Sequence, residues 1–330
     1  MNKYIGHKTQ FYGVELHRLE GGKGDGMRLL EVNNGLGLQL VISLDRCADI
    51  SRLLFKGINY GYMSPVGYVH PSYYNQDKFL SSFTAGFLTT CGLNNVGSPN
   101  EDNGEALPLH GTISNHPVES YNFETKEKEI IITARIVDEE IFSHKLVLSR
   151  KYTISLTKNR FTIEDTISNE GSNEYPLEIL YHMNMGYPLL SENAELYINS
   201  SSIKARNEYA LNDIDNWMNI SAPINGIDEK CYFHNFEDKN AYAALFNKDL
   251  GTGIQISFNS DNLKYFTEWK MMGVRDYVLG FEPGNCHPDG RNKMRQEGTL
   301  KILKPSEKVT YKVEVNMIES LRKFNSIKNK

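Results

Sequence analysis

Three short stretches of the chain carry residues able to move a proton. The first is Leu107-Pro108-Leu109-His110-Gly111, in which a histidine is followed by a glycine that lets the backbone turn tightly. The second is Ile179-Leu180-Tyr181-His182-Met183-Asn184-Met185-Gly186-Tyr187-Pro188. Read as a strand, it splits by parity: Ile179, Tyr181, Met183 and Met185 make an apolar face, and Glu178, Leu180, His182 and Asn184 make the other. The third is Val278-Leu279-Gly280-Phe281-Glu282-Pro283, which puts a carboxylate at the end of an apolar strand, before a proline expected to stop it. A carboxylate there tends to hold its proton more tightly than in water, and imidazole titrates near neutrality. Together they suit general acid–base work. Gly280, on the parity of Glu282, is expected to leave room for a ligand. Each stretch also has a plainer reading: a loop histidine bonding nearby carbonyls, a wet outer sheet face, and a surface glutamate at a strand end.

Other residues are weaker candidates. Arg46, in Leu44-Asp45-Arg46-Cys47-Ala48-Asp49-Ile50, either contacts a ligand or pairs with Asp45 or Asp49. Trp269 either stacks on a ligand ring or packs in the core. Cys91 lacks the context of a nucleophile and reads as packing. His287 lies near Glu282, but the histidines show no metal-ligand spacing, so no metal site is expected.

The elements that must position these residues are strands. Period-two alternation with β-branched and aromatic residues recurs over residues 36–43, 129–137, 145–156, 160–168, 178–186, 253–259, 274–282 and 308–317. Turn-rich clusters separate them, and 169–173 has the look of a hairpin connection between its flanking strands. Helical signals are confined to 77–83, with Asp77 as N-cap, and 318–327, with Ile318, Leu321 and Phe324 on one stripe. Many strands without regular helical crossovers predict an all-β fold, a large antiparallel β-sandwich over residues 1–330 as one domain. Residues 64–111 are rich in Gly, Pro, Ser, Asn and Tyr and read as long ordered loops, which are commonly functional.

Bulk properties narrow the class. The chain has 330 residues, 40% of them hydrophobic, enough for a large core. Its 36 basic and 41 acidic side chains leave a formal net charge of −5, with no basic excess to hold nucleic acid. Four scattered cysteines form no C-x-x-C pair, no secretory h-region opens the chain, and no run nears the roughly 18–20 apolar residues of a membrane span. The expectation is a cytoplasmic protein with free thiols, no nucleic-acid or membrane partner, and a homodimer left open.

The stations Asp45-Arg46-x-x-Asp49-Ile50, Phe83-x-x-Gly86-x-x-x-Thr90-Cys91-Gly92-Leu93, Leu109-His110-Gly111, Tyr181-His182-x-Asn184-x-Gly186-Tyr187-Pro188 and Glu282-Pro283 occur in this order. So arranged, the chain resembles the aldose 1-epimerase, or galactose mutarotase-like, superfamily, and more closely its uncharacterised bacterial branch (DUF4432-like). The resemblance implies a supersandwich with a carbohydrate cleft on one sheet. It implies His182 as the acid on the ring oxygen, Glu282 as the base on the anomeric hydroxyl, and His110 as a hydrogen-bond partner near the anomeric end. Arg46, Asn184 and Trp269 become candidate substrate contacts, and the family's central acidic contact falls to Glu268 or Asp276. Close relatives often carry Arg soon after the His-Gly pair; this chain has Thr112-Ile113-Ser114.

Interconverting anomers requires opening a hemiacetal: one group takes the proton of the C1 hydroxyl while another protonates the ring oxygen. No metal, cofactor or covalent intermediate is needed. Another carbohydrate isomerase or epimerase, or a non-catalytic sugar-binding protein, stays open on the same fold.

Overall fold

The computed structural model describes residues 3–329. Among them, two large sheets face each other. The first has eight strands, in the order Val118–Thr125, Glu129–Glu139, Lys145–Ser155, Arg160–Asn169, Lys308–Ile318, Thr252–Asn259, Asn240–Asn247 and Ala194–Ile198. The second has seven, in the order Ser202–Ala205, Lys230–Asn235, Tyr265–Met272, Tyr277–Gly284 and Tyr175–Met185, with Leu88–Leu93 and Lys301–Leu303 both paired to the last. A five-stranded meander from Gly13–Arg18 to Ile58–Asn59 packs alongside. The sandwich expected from the alternation is the architecture found.

Alternation explains the inner faces. In Arg160–Asn169, Phe161, Ile163 and Ile167 are fully buried while Thr162, Glu164 and Thr166 are only half-buried. Ile179, Tyr181, Met183 and Met185 join the same core from the facing sheet. Each such side chain contributes about 1.5–3 kcal/mol on burial, so a one-residue slip of either strand would be prohibitive.

The strands Tyr175–Met185 and Tyr277–Gly284 differ from this pattern, because both of their faces are largely buried. The outer face is covered by the long loops of 60–111 and by the segment around the short helix Arg291–Gln296. The face bearing Glu178, Leu180, His182 and Asn184 is therefore neither solvated nor wholly a cleft wall.

Four local expectations need correction. The strand read over 274–282 begins at Tyr277 and runs past Pro283 to Gly284. Pro283 is tolerated because pairing with Tyr175–Met185 lapses there, between Leu180 opposite Gly284 and Met183 opposite Phe281. Residues 169–173 do not close a hairpin: Arg160–Asn169 and Tyr175–Met185 lie in different sheets, and the turn carries the chain across the sandwich. The helix expected at 77–83 is a 3₁₀ segment, Gln76–Ser81, capped by Asn75 rather than Asp77. The C-terminal helix is Leu321–Lys328, capped by Ser320, with Ile318 still in the preceding strand.

Candidate active site

Register brings His182 and Glu282 together. With Leu180 opposite Gly284 and Met183 opposite Phe281, His182 stands across from Glu282. On the other side of Tyr277–Gly284, Thr267 pairs with Glu282 and Trp269 with Gly280. These side chains floor a cleft of about 670 Å³ on the outer face of the seven-stranded sheet. Phe79, Leu80 and Phe83 form an apolar wall, His110, Ser98 and Arg206 another side, and Asp228, Glu229 and Asp276 stand at the mouth.

His182 Nε2 lies 3.2 Å from Glu282 Oε1. The two are close but not aligned, and among the described residues Oε1 has no hydrogen-bond partner. Glu282 is 2% exposed, and burial lifts its carboxyl well above the usual carboxylate range; nearby Glu229 adds to this and Arg206 opposes it. Burial also pushes the His182 ring down to about 4. On its far side, His182 Nδ1 lies 2.6 Å from Asn184 Oδ1, and Asn184 Nδ2 donates to the His182 carbonyl at 3.1 Å. Phe83 and Trp269 contact the ring edge-on, their centroids 5.6 and 5.1 Å away.

His110 reaches the same cleft from a loop. Its φ is +57°, and its main chain donates to the Gly97 carbonyl at 2.9 Å while the Gly97 N–H donates to Nδ1 at 3.3 Å. Nδ1 is thus an acceptor, so the neutral ring carries its proton on Nε2 and can donate. Burial, with the charges of His182 and Arg206, drives this ring down to about 3. The glycine after it is obligatory. A methyl group on Gly111 would stand 2.3 Å from the Gly92 carbonyl oxygen, at a φ of +68°.

Four of the six residues singled out from sequence, His110, His182, Glu282 and Trp269, line this one cleft. Two do not. Arg46 is buried, donates to the Val69 carbonyl at 2.9 Å, and borders a separate small recess with Ser43, Asp49 and Tyr68. It pairs with neither expected aspartate, because Arg28 takes Asp45 and Arg150 takes Asp49. Asn184 is fully buried beneath the floor, where its side chain serves His182. Gly280 offers no ligand space either. A methyl group there would lie 2.5 Å from Glu282 Oε1 and 3.1 Å from Trp269 Cβ, so the glycine makes room for the carboxylate itself.

Of the two acidic candidates, Glu268 is buried away from the cleft, 3.2 Å from His234 Nε2. Asp276 is at the mouth, accepting from Tyr62 Oη at 3.3 Å. Cys91 packs with Val96, Leu180, Cys286 and Met294, and His287 lies against Phe233 and Tyr265. Among the described residues no three His, Cys, Asp or Glu side chains are grouped to hold a metal ion, and no helix is long and apolar enough to cross a membrane.

Sequence reading missed Thr267, Arg206 and Glu229. Thr267 is 1% exposed, its Oγ1 has no hydrogen-bond partner among the described residues, and it shares the parity of Trp269, which was the available signal. Glu229 accepts from the Trp269 indole at 2.7 Å, and Arg206 reaches Asp289, Ser98 and the Pro288 carbonyl. Both sit in irregular segments with no pattern to betray them.

The family known as Domain of unknown function (DUF4432) matches residues 24–317. The chain belongs to the DUF4432 family. No curated protein sequence matches it. Among solved structures, this chain is similar to a protein from Klebsiella pneumoniae named provisionally as an aldose 1-epimerase. It is 24% identical, with a TM-score of 0.89 over 98% of this chain and 89% of that one. A galactose mutarotase-like protein from Clostridium acetobutylicum aligns at 15% identity and TM-score 0.67, over 94% and 99% of the two chains. Galactose 1-epimerase from Lactobacillus acidophilus aligns at 14% and 0.63, over 94% and 99%. At these identities the likeness establishes the galactose mutarotase-like fold of this DUF4432 protein.

Proposed function

We propose that this protein is an aldose 1-epimerase, interconverting the α and β anomers of a sugar or sugar derivative. The observation that carries the reading is the meeting of His182 and Glu282 across one strand pair, with Glu282 Oε1 unpartnered among the described residues on a cleft floor. A sugar hydroxyl at that oxygen would satisfy it, and an unsatisfied buried polar atom is costly enough to favour such a ligand. The names of the fold neighbours point the same way.

The pair does its work by exchanging protons with the substrate. One member takes the proton of the anomeric hydroxyl, the other protonates the ring oxygen, and the C1–O5 bond breaks to give the open aldehyde. Rotation about C1–C2 presents the other carbonyl face, and the reverse transfers close the ring. Trp269 and the Phe79–Phe83 wall supply apolar surface for the sugar's C–H faces, and His110 Nε2–H supplies a donor. Its four buried free cysteines accord with a reducing, cytoplasmic setting.

Anomer exchange is measured by polarimetry on freshly dissolved sugars, and by exchange NMR, over a panel of hexoses, pentoses and their derivatives. The wild-type protein is expected to accelerate equilibration of at least one sugar. Saturable binding without acceleration on any member would make it a sugar-binding protein instead.

A further inference from the structure

The acid–base pair stands at the closed end of its cleft. Along Tyr277–Gly284 the residues on the parity of Glu282 are Val278, Gly280 and Gly284. Past Glu282 the sheet is sealed. A methyl group on Gly284 would lie 2.9 Å from the Ile179 carbonyl oxygen, and Leu180, opposite Gly284, is buried with Cys91, Val96, Cys286 and Met294. Phe83 and His110 pack around His182, their ring centroids 5.6 and 5.7 Å from its own. A sugar with C1 at the pair therefore extends the other way, toward Val278.

In that direction the floor continues in apolar steps. Trp269 stands opposite Gly280 and Met271 opposite Val278, and Trp269, Met271 and Val278 all line the cleft. The Trp269 indole donates to Glu229 Oε2 at 2.7 Å, which fixes its plane. At about 3.3 Å per residue Val278 lies roughly 13 Å along the strand from Glu282, whereas a pyranose ring, built of bonds near 1.5 Å, measures only about 5–6 Å from O1 to O4. One ring reaches Trp269 and leaves the step of Met271 and Val278 uncovered. Beyond that step stand Tyr62 and Asp276, joined by a hydrogen bond of 3.3 Å.

Building on the epimerase reading, we propose that the sugar at the pair is the reducing end of a neutral disaccharide, linked through C4 or C6, whose second ring lies over Met271 and Val278 toward Asp276. An apolar platform suits the C–H face of that ring, and carboxylates beside it accept its hydroxyls. The charge at the mouth selects a neutral second group. Asp228, Glu229 and Asp276 are exposed there. Among the described residues the one lysine or arginine lining the cleft is Arg206, already tied to Asp289, Ser98 and the Pro288 carbonyl. A phosphate, sulfonate or uronate at this end of the substrate would meet like charge.

The test compares cellobiose, maltose, gentiobiose and 4-galactobiose with glucose, galactose and glucose 6-phosphate. Anomer exchange is followed by NMR, and binding to the full chain by calorimetry, which needs no turnover. At least one disaccharide is expected to exceed its parent monosaccharide roughly tenfold in kcat/KM and in affinity, the yield of one buried apolar contact. Glucose 6-phosphate should be no better than glucose. Met271→Glu should erase most of the disaccharide's advantage, chiefly through KM, and Met271→Leu should keep it. Disaccharides that bind and react no better than their parents overturn the proposal, as does an advantage that survives Met271→Glu in full or a preference for the phosphate. Equal acceleration of monosaccharides and disaccharides counts against this inference alone. Tighter binding of a disaccharide with no acceleration of any sugar counts against the epimerase reading alone.

Discussion

A buried polar atom without a partner costs about 1–3 kcal/mol, more when charged, and Glu282 Oε1 carries that cost on the cleft floor beside Thr267 Oγ1. Such atoms persist where a ligand supplies the missing bond. On the epimerase reading, Glu282→Gln and His182→Asn should each lower kcat by ~10²–10⁴, the range for losing a general acid or base. The double variant should fall well short of the product of the two losses, because both act in one transfer. Steady-state polarimetry measures both, after melting curves show the variants folded. Gly280→Ala provides a gentler probe. Its new methyl group would collide with the carboxylate end rather than the backbone, so the side chain yields first. A displacement of this order should cost roughly 10²-fold in kcat, with the sheet intact by circular dichroism.

At the scale of elements, the loop that carries His110 hangs from the helix Arg291–Gln296. The Arg291 guanidinium, 1% exposed as a residue, bonds Asp102 Oδ2 at 2.7 Å, Glu105 Oε2 at 2.6 Å and the Asn94 carbonyl at 3.1 Å. Its main-chain N–H is accepted by Asn95 Oδ1 at 3.0 Å. The 94–97 segment so anchored presents Gly97 to both the main chain and the ring of His110. Arg291→Met takes one of two arginine partners from the buried Asp102, which keeps Arg295, and should cost about 1–3 kcal/mol by urea denaturation. Because His110 loses its footing rather than its chemistry, the same variant should raise KM more than it lowers kcat.

Over the whole molecule, buried titratable groups set how stability follows pH. His110, His182 and His287 fold as neutral rings held down to about 3, 4 and 4, against 6.5 ordinarily. The unfolded chain therefore binds more protons as pH falls from 6.5 toward 4, and stability falls with it. Glu178 works in the other sense. Burial keeps its proton up to about 8, against 4.5 ordinarily, so the unfolded chain loses that proton first and stability falls as pH rises through this window. Between 4.5 and 6.5 the two effects oppose each other, but three histidines outweigh one glutamate, so stability still rises there and the maximum lies near 6.5. Urea midpoints taken from pH 4.5 to 8 should trace that dome. Glu178→Gln should flatten the decline between 6.5 and 8 and steepen the rise between 4.5 and 6.5, leaving only the limb below 4.5 as it was. An alkaline limb unchanged in that variant would show that the limb belongs to other groups.

Local pattern was enough for what depends on neighbours a few residues apart. Alternation in 160–168 and 178–186 yields strands and their core faces, because the pleat sends every second side chain to the same side. The residue types at His110, His182 and Glu282 announced acid–base chemistry, and those three line one cleft. Pairing and depth lay beyond such a reading. Nothing in residues 169–173 says whether the next strand joins the same sheet or crosses the sandwich, since either path uses the same turn residues. Arg46 and Asn184 looked like ligand contacts because an exposed and a buried polar side chain are spelled alike. Only packing shows one tied to the Val69 carbonyl and the other to the His182 ring. Thr267 shares the parity of Trp269 on its strand while Arg206 comes from a loop, and the antiparallel register of Tyr265–Met272 on Tyr277–Gly284 is what sets Thr267 beside Glu282. Register over such separations is chosen by the burial of whole strand faces at once, a sum over contacts that no local window contains.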